Sequence, residues 1–237
     1  MKTQPFQLWK KQALSKLDKS TIGEIDKKIK TLCELINSRE DMFTLSSCSG
    51  RICLNKNSNN SKVEKIWLFV SHEKADPEKI WQILENYNED SKLEFRQDSC
   101  ILHICVKTNE LARNLMNAGK ESGFNKAGII ANKSRIIVEL ICDINLNLPI
   151  YDKELLIPKN YLEYIVSISN NNLSQTWERI KKLEEKVKKF VKFCYPNHSK
   201  LWGINAKFLL RKPQISNSHL DHAASCGVCD PNKESKS

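Results

Sequence analysis

Apolar residues recur along the chain first at helical and then at strand spacing. Phe6, Trp9, Ala13 and Leu17 fall three or four apart, which predicts an amphipathic helix over residues 3–17 with a lysine-rich opposite face. After a polar joint at 18–26, Ile25, Ile29, Leu32, Cys33 and Ile36 repeat the spacing and predict a second helix ending before Met42. The period then changes. Residues 42–46, 51–55 and 66–72 read as strands, the first two joined as a hairpin by a polar turn, with a surface loop over 55–61. Asp76-Pro77 supplies a cap and a first-turn proline for a helix carrying Ile80, Trp81, Leu84 and Tyr87. Residues 93–96 and 100–107 are strands again. Thr108 caps a helix with Leu111, Ala112, Leu115 and Ala118, which Gly123 stops. Residues 127–131 and 135–144 complete the strands, the second apolar at nearly every position and therefore central in its sheet.

Beyond Pro149 the pattern turns helical. Tyr161, Leu162, Ile165 and Ile168 make one stripe, Asn170-Asn171-Asn172 breaks it, and Trp177, Ile180, Leu183, Val187, Phe190 and Val191 make another. The order strand, helix, strand, strand occurs twice, from Ile66 and from Ile101, without matching residues. These elements predict an α+β fold, a mixed β-sheet with packed helices. Residues 1–195 are expected to form one domain, with an α+β core over 1–150 and a helical part over 151–195, and 196–237 are expected to be a flexible tail.

Charge narrows the partners. The 237 residues carry a formal net charge of +10, and a basic surface favours a polyanion, with nucleic acid ahead of an anionic membrane. Seven basic residues face three acidic ones between Glu178 and Lys192, a run that reads first as a solvated helix face and second as a surface for RNA contact. There is no apolar run near 18 residues and no charged-then-apolar leader, so the expectation is a soluble, cytoplasmic protein. Of the nine cysteines, Cys33, Cys53, Cys100, Cys105, Cys142 and Cys194 lie in apolar patterns and read as small buried hydrophobes of a reducing compartment. His219, His222, Cys226 and Cys229 have zinc-ligand types but crowd into eleven residues of a polar tail, so no metal is assigned.

Candidate chemistry centres on Thr44-Leu45-Ser46-Ser47-Cys48-Ser49-Gly50-Arg51-Ile52, which crowds hydroxyls and a guanidinium onto a stretch too short to bury anything. Gly50 permits close backbone approach, and Arg51 can grip a carboxylate or phosphate through two parallel hydrogen bonds. His72 ends one predicted strand, His103 lies in another, and Asp98 in the turn before it can orient His103 or accept a proton. Gly119, Gly123 and Gly128 surround Phe124 in a helix-to-strand connection, where ligand contact and plain turn punctuation are equal readings. No phosphate-binding Gly-x4-Gly-Lys loop, Gly-x-Gly-x-x-Gly turn, His-Glu-x-x-His or Gly-x-Ser-x-Gly elbow occurs, which removes the common ATPases, nucleotide-fold dehydrogenases and hydrolases.

Ser46-Ser47-Cys48-Ser49-Gly50-Arg51, with Asp18-Lys19-Ser20 and Gly23-Glu24-Ile25-Asp26 before it, resembles a known family. Residues 67–73, Ile101-Leu102-His103, Gly123-Phe124 and Gly128-Ile129 follow in the family's order. The family is that of the wybutosine-synthesis methyltransferases, third enzymes of the tRNA wybutosine pathway, and the resemblance covers about residues 6 to 185. It implies an S-adenosylmethionine-dependent N-methyltransferase acting on a tricyclic modified guanosine at position 37 of phenylalanine tRNA. It also implies a fold other than the Rossmann-type methyltransferase. The chain departs from the family's pattern at Asp98-Ser99-Cys100, where the family has Glu-Pro-aromatic. It does so again at Leu140-Ile141-Cys142, where the family has Ile-Arg-Ser, and at Ala127, where the family has serine.

On that resemblance His103, Asp98 and Ser47 are the expected catalytic residues, and Ser46, Ser49, Arg51, His72, Gly123 and Gly128 the expected cofactor contacts. Methyl transfer to nitrogen is an in-line displacement that asks the protein for alignment and removal of one proton. A non-catalytic RNA-binding module is the alternative from another class, and a zinc-dependent interaction protein built on the tail is a third.

Overall fold

The computed structural model describes residues 6–15, 25–56 and 66–194, with side chains to residue 190. Two short helices come first, α1 over Phe6–Leu14 and α2 over Lys27–Ser38, followed by strands β1 (Met42–Cys48), β2 (Arg51–Lys56) and β3 (Ile66–Ser71). Helix α3 (Pro77–Glu85), strands β4 (Leu93–Asp98) and β5 (Ile101–Val106), and helix α4 (Asn109–Glu121) come next. Strands β6 (Lys126–Asn132), β7 (Ile136–Ile141), β8 (Leu146–Asp152) and β9 (Glu154–Leu155) lead to the long helix α5 (Lys159–Cys194). The predicted caps are made: Asp76 accepts from the Glu78 amide at 3.0 Å and Thr108 from the Leu111 amide at 3.2 Å.

The class is α+β as expected, but the single mixed sheet is not formed. Every pairing is antiparallel, in a four-stranded sheet ordered β1-β5-β7-β6 and a five-stranded sheet ordered β3-β2-β4-β8-β9. The hairpin expected between β1 and β2 is likewise replaced: β1 pairs with β5, whereas β2 pairs with β3 and β4. The physical reason is a change of sheet in mid-strand. β1 with β2, β4 with β5 and β7 with β8 each act as one long strand whose halves serve different sheets, so the polar turn is a crossing rather than a reversal.

Each sheet buries one face. Ile29, Leu32, Cys33 and Ile36 of α2 and Ala112, Leu115 and Ala118 of α4 close over Leu102, Ile104, Val138 and Leu140 of the four-stranded sheet. Ile80 and Leu84 of α3 cover Ile52, Leu54, Leu93 and Phe95 of the other. Helix α5 belongs to both cores, through Leu162, Ile165 and Leu173 on one side and Ile180, Leu183 and Val187 on the other, with Trp177 touching each. At 36 residues it runs roughly 54 Å.

The break expected at Asn170–Asn172 is absent because those side chains bond outside the helix. Asn170 accepts from the Ala75 amide at 2.8 Å and donates to its carbonyl at 2.9 Å, and Asn172 donates to Gln97 at 3.0 Å. The part expected to be helical from 151 starts eight residues later, after β8 and β9. Helix α1 lies on the outer face of the four-stranded sheet, Phe6 edge-on to Phe43 with centroids 5.2 Å apart, and covers only one end of it. Among the described residues no helix is long and apolar enough to cross a membrane.

Candidate active site

The three mid-strand crossings meet at one corner. Cys142 N–H donates to the Cys100 carbonyl at 3.1 Å, Asp143 N–H to the Ser99 hydroxyl at 3.1 Å, and Ser99 N–H to the Asn145 side-chain oxygen at 2.9 Å. Gly50 turns the first crossing with φ +96°, and a Cβ on it would lie 2.9 Å from Leu173 and 3.1 Å from the Asp98 carbonyl oxygen. Conformation and space both demand glycine there.

Asp26 holds this corner from below. It occupies the N-cap position of α2 yet makes no cap bond, because its Oδ2 accepts from the Ser49 amide at 2.8 Å and the Ser49 hydroxyl at 3.0 Å. The same oxygen lies 3.0 Å from Nδ1 of His72, which also reaches the Gly50 carbonyl at 3.1 Å and Cys48 Sγ at 3.8 Å. The Asp26 hydrogen bond, then that from Cys48, raise the His72 pKa to about 10 against the effect of burial. Burial works against the Asp26 carboxylate too, but the bonds from His72 and Ser49 prevail and hold it below its usual range. Ser49 is fully buried, with its amide and hydroxyl both bonded to Asp26.

Arg51 opens outward from the same corner. Its Nε donates to Asp98 Oδ2 at 3.0 Å and its guanidinium stacks 4.5 Å over the Trp67 ring, while Arg96 Nη2 donates to Asp98 Oδ1 at 3.1 Å. Burial opposes the Arg51 charge, but Asp98 outweighs it and the pKa is raised. Asp98 thus stands between two arginines on the five-stranded sheet, in place of the pairing with His103 expected from the sequence. Both strands were identified correctly; what the sequence hid is that they belong to different sheets.

His103 finds other partners. Across the outer face of the four-stranded sheet Ser46, His103, Glu139 and Gly128 stand in register on β1, β5, β7 and β6. Ser46 Oγ is 2.7 Å from His103 Nδ1, and His103 Nε2 is 2.8 Å from Glu139 Oε2. A carboxylate only accepts, so Nε2 carries the hydrogen, and in the neutral ring Nδ1 accepts from the Ser46 hydroxyl. The rung lies at the end of the sheet that α1 leaves open. Ser47 is opposite Leu102 and so on the other face of the strand, away from this rung.

Gly123 ends α4 with φ +95°, and its carbonyl accepts from Arg179 Nη1 at 2.9 Å, so it is occupied by α5. The tail residues His219, His222, Cys226 and Cys229 lie outside the described residues. Among the described residues Asp26, Cys48 and His72 present donor atoms within 4.8 Å of one another and are the set that could hold a metal ion. Sequence reasoning assigned no role to Asp26 and Trp67, although both lie in stretches that carry the resemblance, and missed Arg96 and Glu139. Glu139 did carry a signal, as a lone carboxylate inside the apolar run from Ile136 to Ile141.

Residues 8–189 match the family model described as "Methyltransferase TYW3", a span that holds every residue of the corner and the rung. A tRNA wybutosine-synthesizing protein 3 homolog of Xenopus laevis is 32% identical over 185 residues, covering 76% of this chain and 73% of that protein. A tRNA(Phe) 7-((3-amino-3-carboxypropyl)-4-demethylwyosine(37)-N(4))-methyltransferase of Thermococcus sibiricus is 35% identical over 191 residues, 79% of this chain and 96% of the other. The solved structure of PH1069 protein from Pyrococcus horikoshii superposes with a TM-score of 0.70 at 32% identity, over 77% of this chain and 95% of that one. Two antiparallel sheets clasped by one long helix, with the serine-rich crossing at their corner, thus belong to a protein of the TYW3 methyltransferase family.

Proposed function

We infer that the protein methylates the N4 position of the tricyclic wyosine-type base at guanosine 37 of phenylalanine tRNA, with S-adenosylmethionine as donor and residues 1–195 as catalytic domain. The observation that carries this reading is the family match from residue 8 to 189. A cytoplasmic location goes with a tRNA substrate, and the net charge of +10 suits it.

The corner fits the donor's chemistry. Arg51 and the raised His72 offer positive charge, Asp98 offers negative charge, and Trp67, 38% exposed, offers a ring face. A ligand bearing a carboxylate, an ammonium and an adenine matches that set. The donor supplies a methyl group on a sulfonium sulfur, which leaves as a neutral thioether. Of the protein's own groups, Arg51 and Trp67 hold the donor's polar end, and the Asp26, His72 and Ser49 bonds fix the crossing that carries Arg51. Ser46 and His103 take the proton released when the acceptor nitrogen gains its methyl. No covalent nucleophile is involved.

The test is incubation of the protein with methyl-labelled S-adenosylmethionine and phenylalanine tRNA lacking the modification. Label in the tRNA is the expected result. Binding of tRNA without transfer would favour the RNA-binding module instead.

A further inference from the structure

We propose that the heterocyclic base receiving the methyl group docks on the open outer face of the four-stranded sheet, over Gly128, and that Glu139 is the positioning residue that aims His103 at it. The proposal rests on the methyltransferase reading and assigns that reaction its acceptor subsite.

Gly128 is the starting point. A Cβ at Gly50, Gly119 or Gly123 would meet another atom at 2.9, 2.8 or 3.0 Å, whereas one at Gly128 would meet nothing within 4 Å. Positive φ is recorded at Gly50 and Gly123 and not at Gly128. Neither crowding nor backbone conformation explains this glycine. It keeps space open beside the Ser46–His103–Glu139 rung, directly opposite Glu139.

The neighbourhood suits a flat, partly polar ring system. The next rung toward the corner pairs Cys48, Ile101, Ile141 and Lys126 across the same four strands. Ile101 and Ile141 are half-buried, so a plane laid across them keeps apolar contact while its edge meets His103. Lys126, paired with Asp143 at 2.8 Å and 63% exposed, stands at the rim where a backbone phosphate would pass. From β5 to β6 is two strand spacings, about 10 Å, the breadth of three fused rings. Helix α1 stops short of this end, where Ser46 remains exposed.

Glu139 makes no contact that the reaction needs directly. By accepting from Nε2 on the β7 side it fixes the ring so that Nδ1 faces Ser46 on β1, and a base that reaches from Gly128 across β7 to β5 brings its far edge to that hydroxyl. In the transfer the nitrogen lone pair forms the new N–C bond as the C–S bond breaks toward sulfur. The nitrogen's proton passes through the Ser46 hydroxyl to Nδ1.

The test fills the space. Gly128→Val puts a strand-favouring side chain where nothing lies within reach, so the folded state is retained, with Gly128→Ala as the milder companion. Thermal melting is expected at the wild-type value for Gly128→Val, and so is calorimetric binding of S-adenosylmethionine, which would weaken if Gly128 were the cofactor contact expected from sequence. Methyl transfer to unmodified tRNA is expected to fall by about 100-fold or more, in kcat rather than in KM for tRNA, because phosphate contacts dominate affinity. Glu139→Gln is expected to lower kcat and displace the acidic limb of the pH–rate profile, and Glu139→Asp to restore part of the loss. A Gly128→Val protein that methylates tRNA at the wild-type rate overturns the subsite. A wild-type protein that transfers no methyl group overturns the methyltransferase reading itself.

Discussion

Arg51 shows how much one side chain can carry. It is bonded to Asp98 and stacked on Trp67, and both contacts depend on a planar, forked cation. Arg51→Ala is expected to cut methyl transfer at least about 100-fold with melting little changed, and Arg51→Lys to recover little of it, since an ammonium cannot stack and fork together. Full activity in Arg51→Ala would remove the donor assignment. His72 sets a pH dependence. Its folded pKa of about 10 lies above the unfolded value near 6.5, so the Asp26–His72 interaction contributes fully below about pH 6.5 and is lost as pH rises toward 10. Seen from Asp26, whose pKa is depressed, the same interaction fades as pH falls below about 4. Denaturant melts of the metal-free protein should therefore show a plateau between those limits, and His72→Gln should flatten the alkaline decline. An unaltered decline in that variant would place its origin elsewhere.

Among the elements, α5 shows where pattern reading fails and why. Asn170, Asn171 and Asn172 have low helix propensity, and sequence alone could not reveal that Asn170 would bond both backbone groups of Ala75, ninety-five residues away. Asn170→Ala is expected to cost about 1–3 kcal/mol by leaving those groups unsatisfied, despite the better helix former. A chemical-denaturation midpoint at or above wild type would contradict this. The strands were legible one by one, because Leu102 and Ile104 alternate with His103, and Leu93 and Phe95 with Glu94. Their partners were not, since the pairing of β1 with β5 rather than β2 depends on a crossing set by Gly50. That hidden crossing is also why Asp98 looked like a partner for His103. Gly50→Ala, strained at φ +96° and crowded by Leu173, is expected to destabilise the fold by about 1–3 kcal/mol, read from the same denaturation curves.

At the scale of the molecule, the two hydrophobic cores share α5 and meet at Trp177. Neither sheet can shed the helix without exposing the other's core, so tryptophan fluorescence and far-ultraviolet circular dichroism are expected to report a single coincident unfolding transition. Separate midpoints would show that the sheets unfold independently. Half of the candidate site was legible because hydroxyls, histidines and Arg51 announce themselves by type; the rest depended on which sheet face each one takes. That choice traces to a small irregularity in β1, where Thr44 pairs with Ile104 and Ser46 with His103, leaving Leu45 as an extra residue between successive partners. In an unbroken zigzag the parity would reverse: Ser47 would project outward, and Ser46 and Cys48 would turn toward α2. Removing Leu45 would take out the surplus residue and keep Ser46 facing His103, whereas adding one residue to the regular stretch after it would uncouple the hydroxyl from the imidazole. In this protein, which serine meets His103 is a matter of odd and even counting.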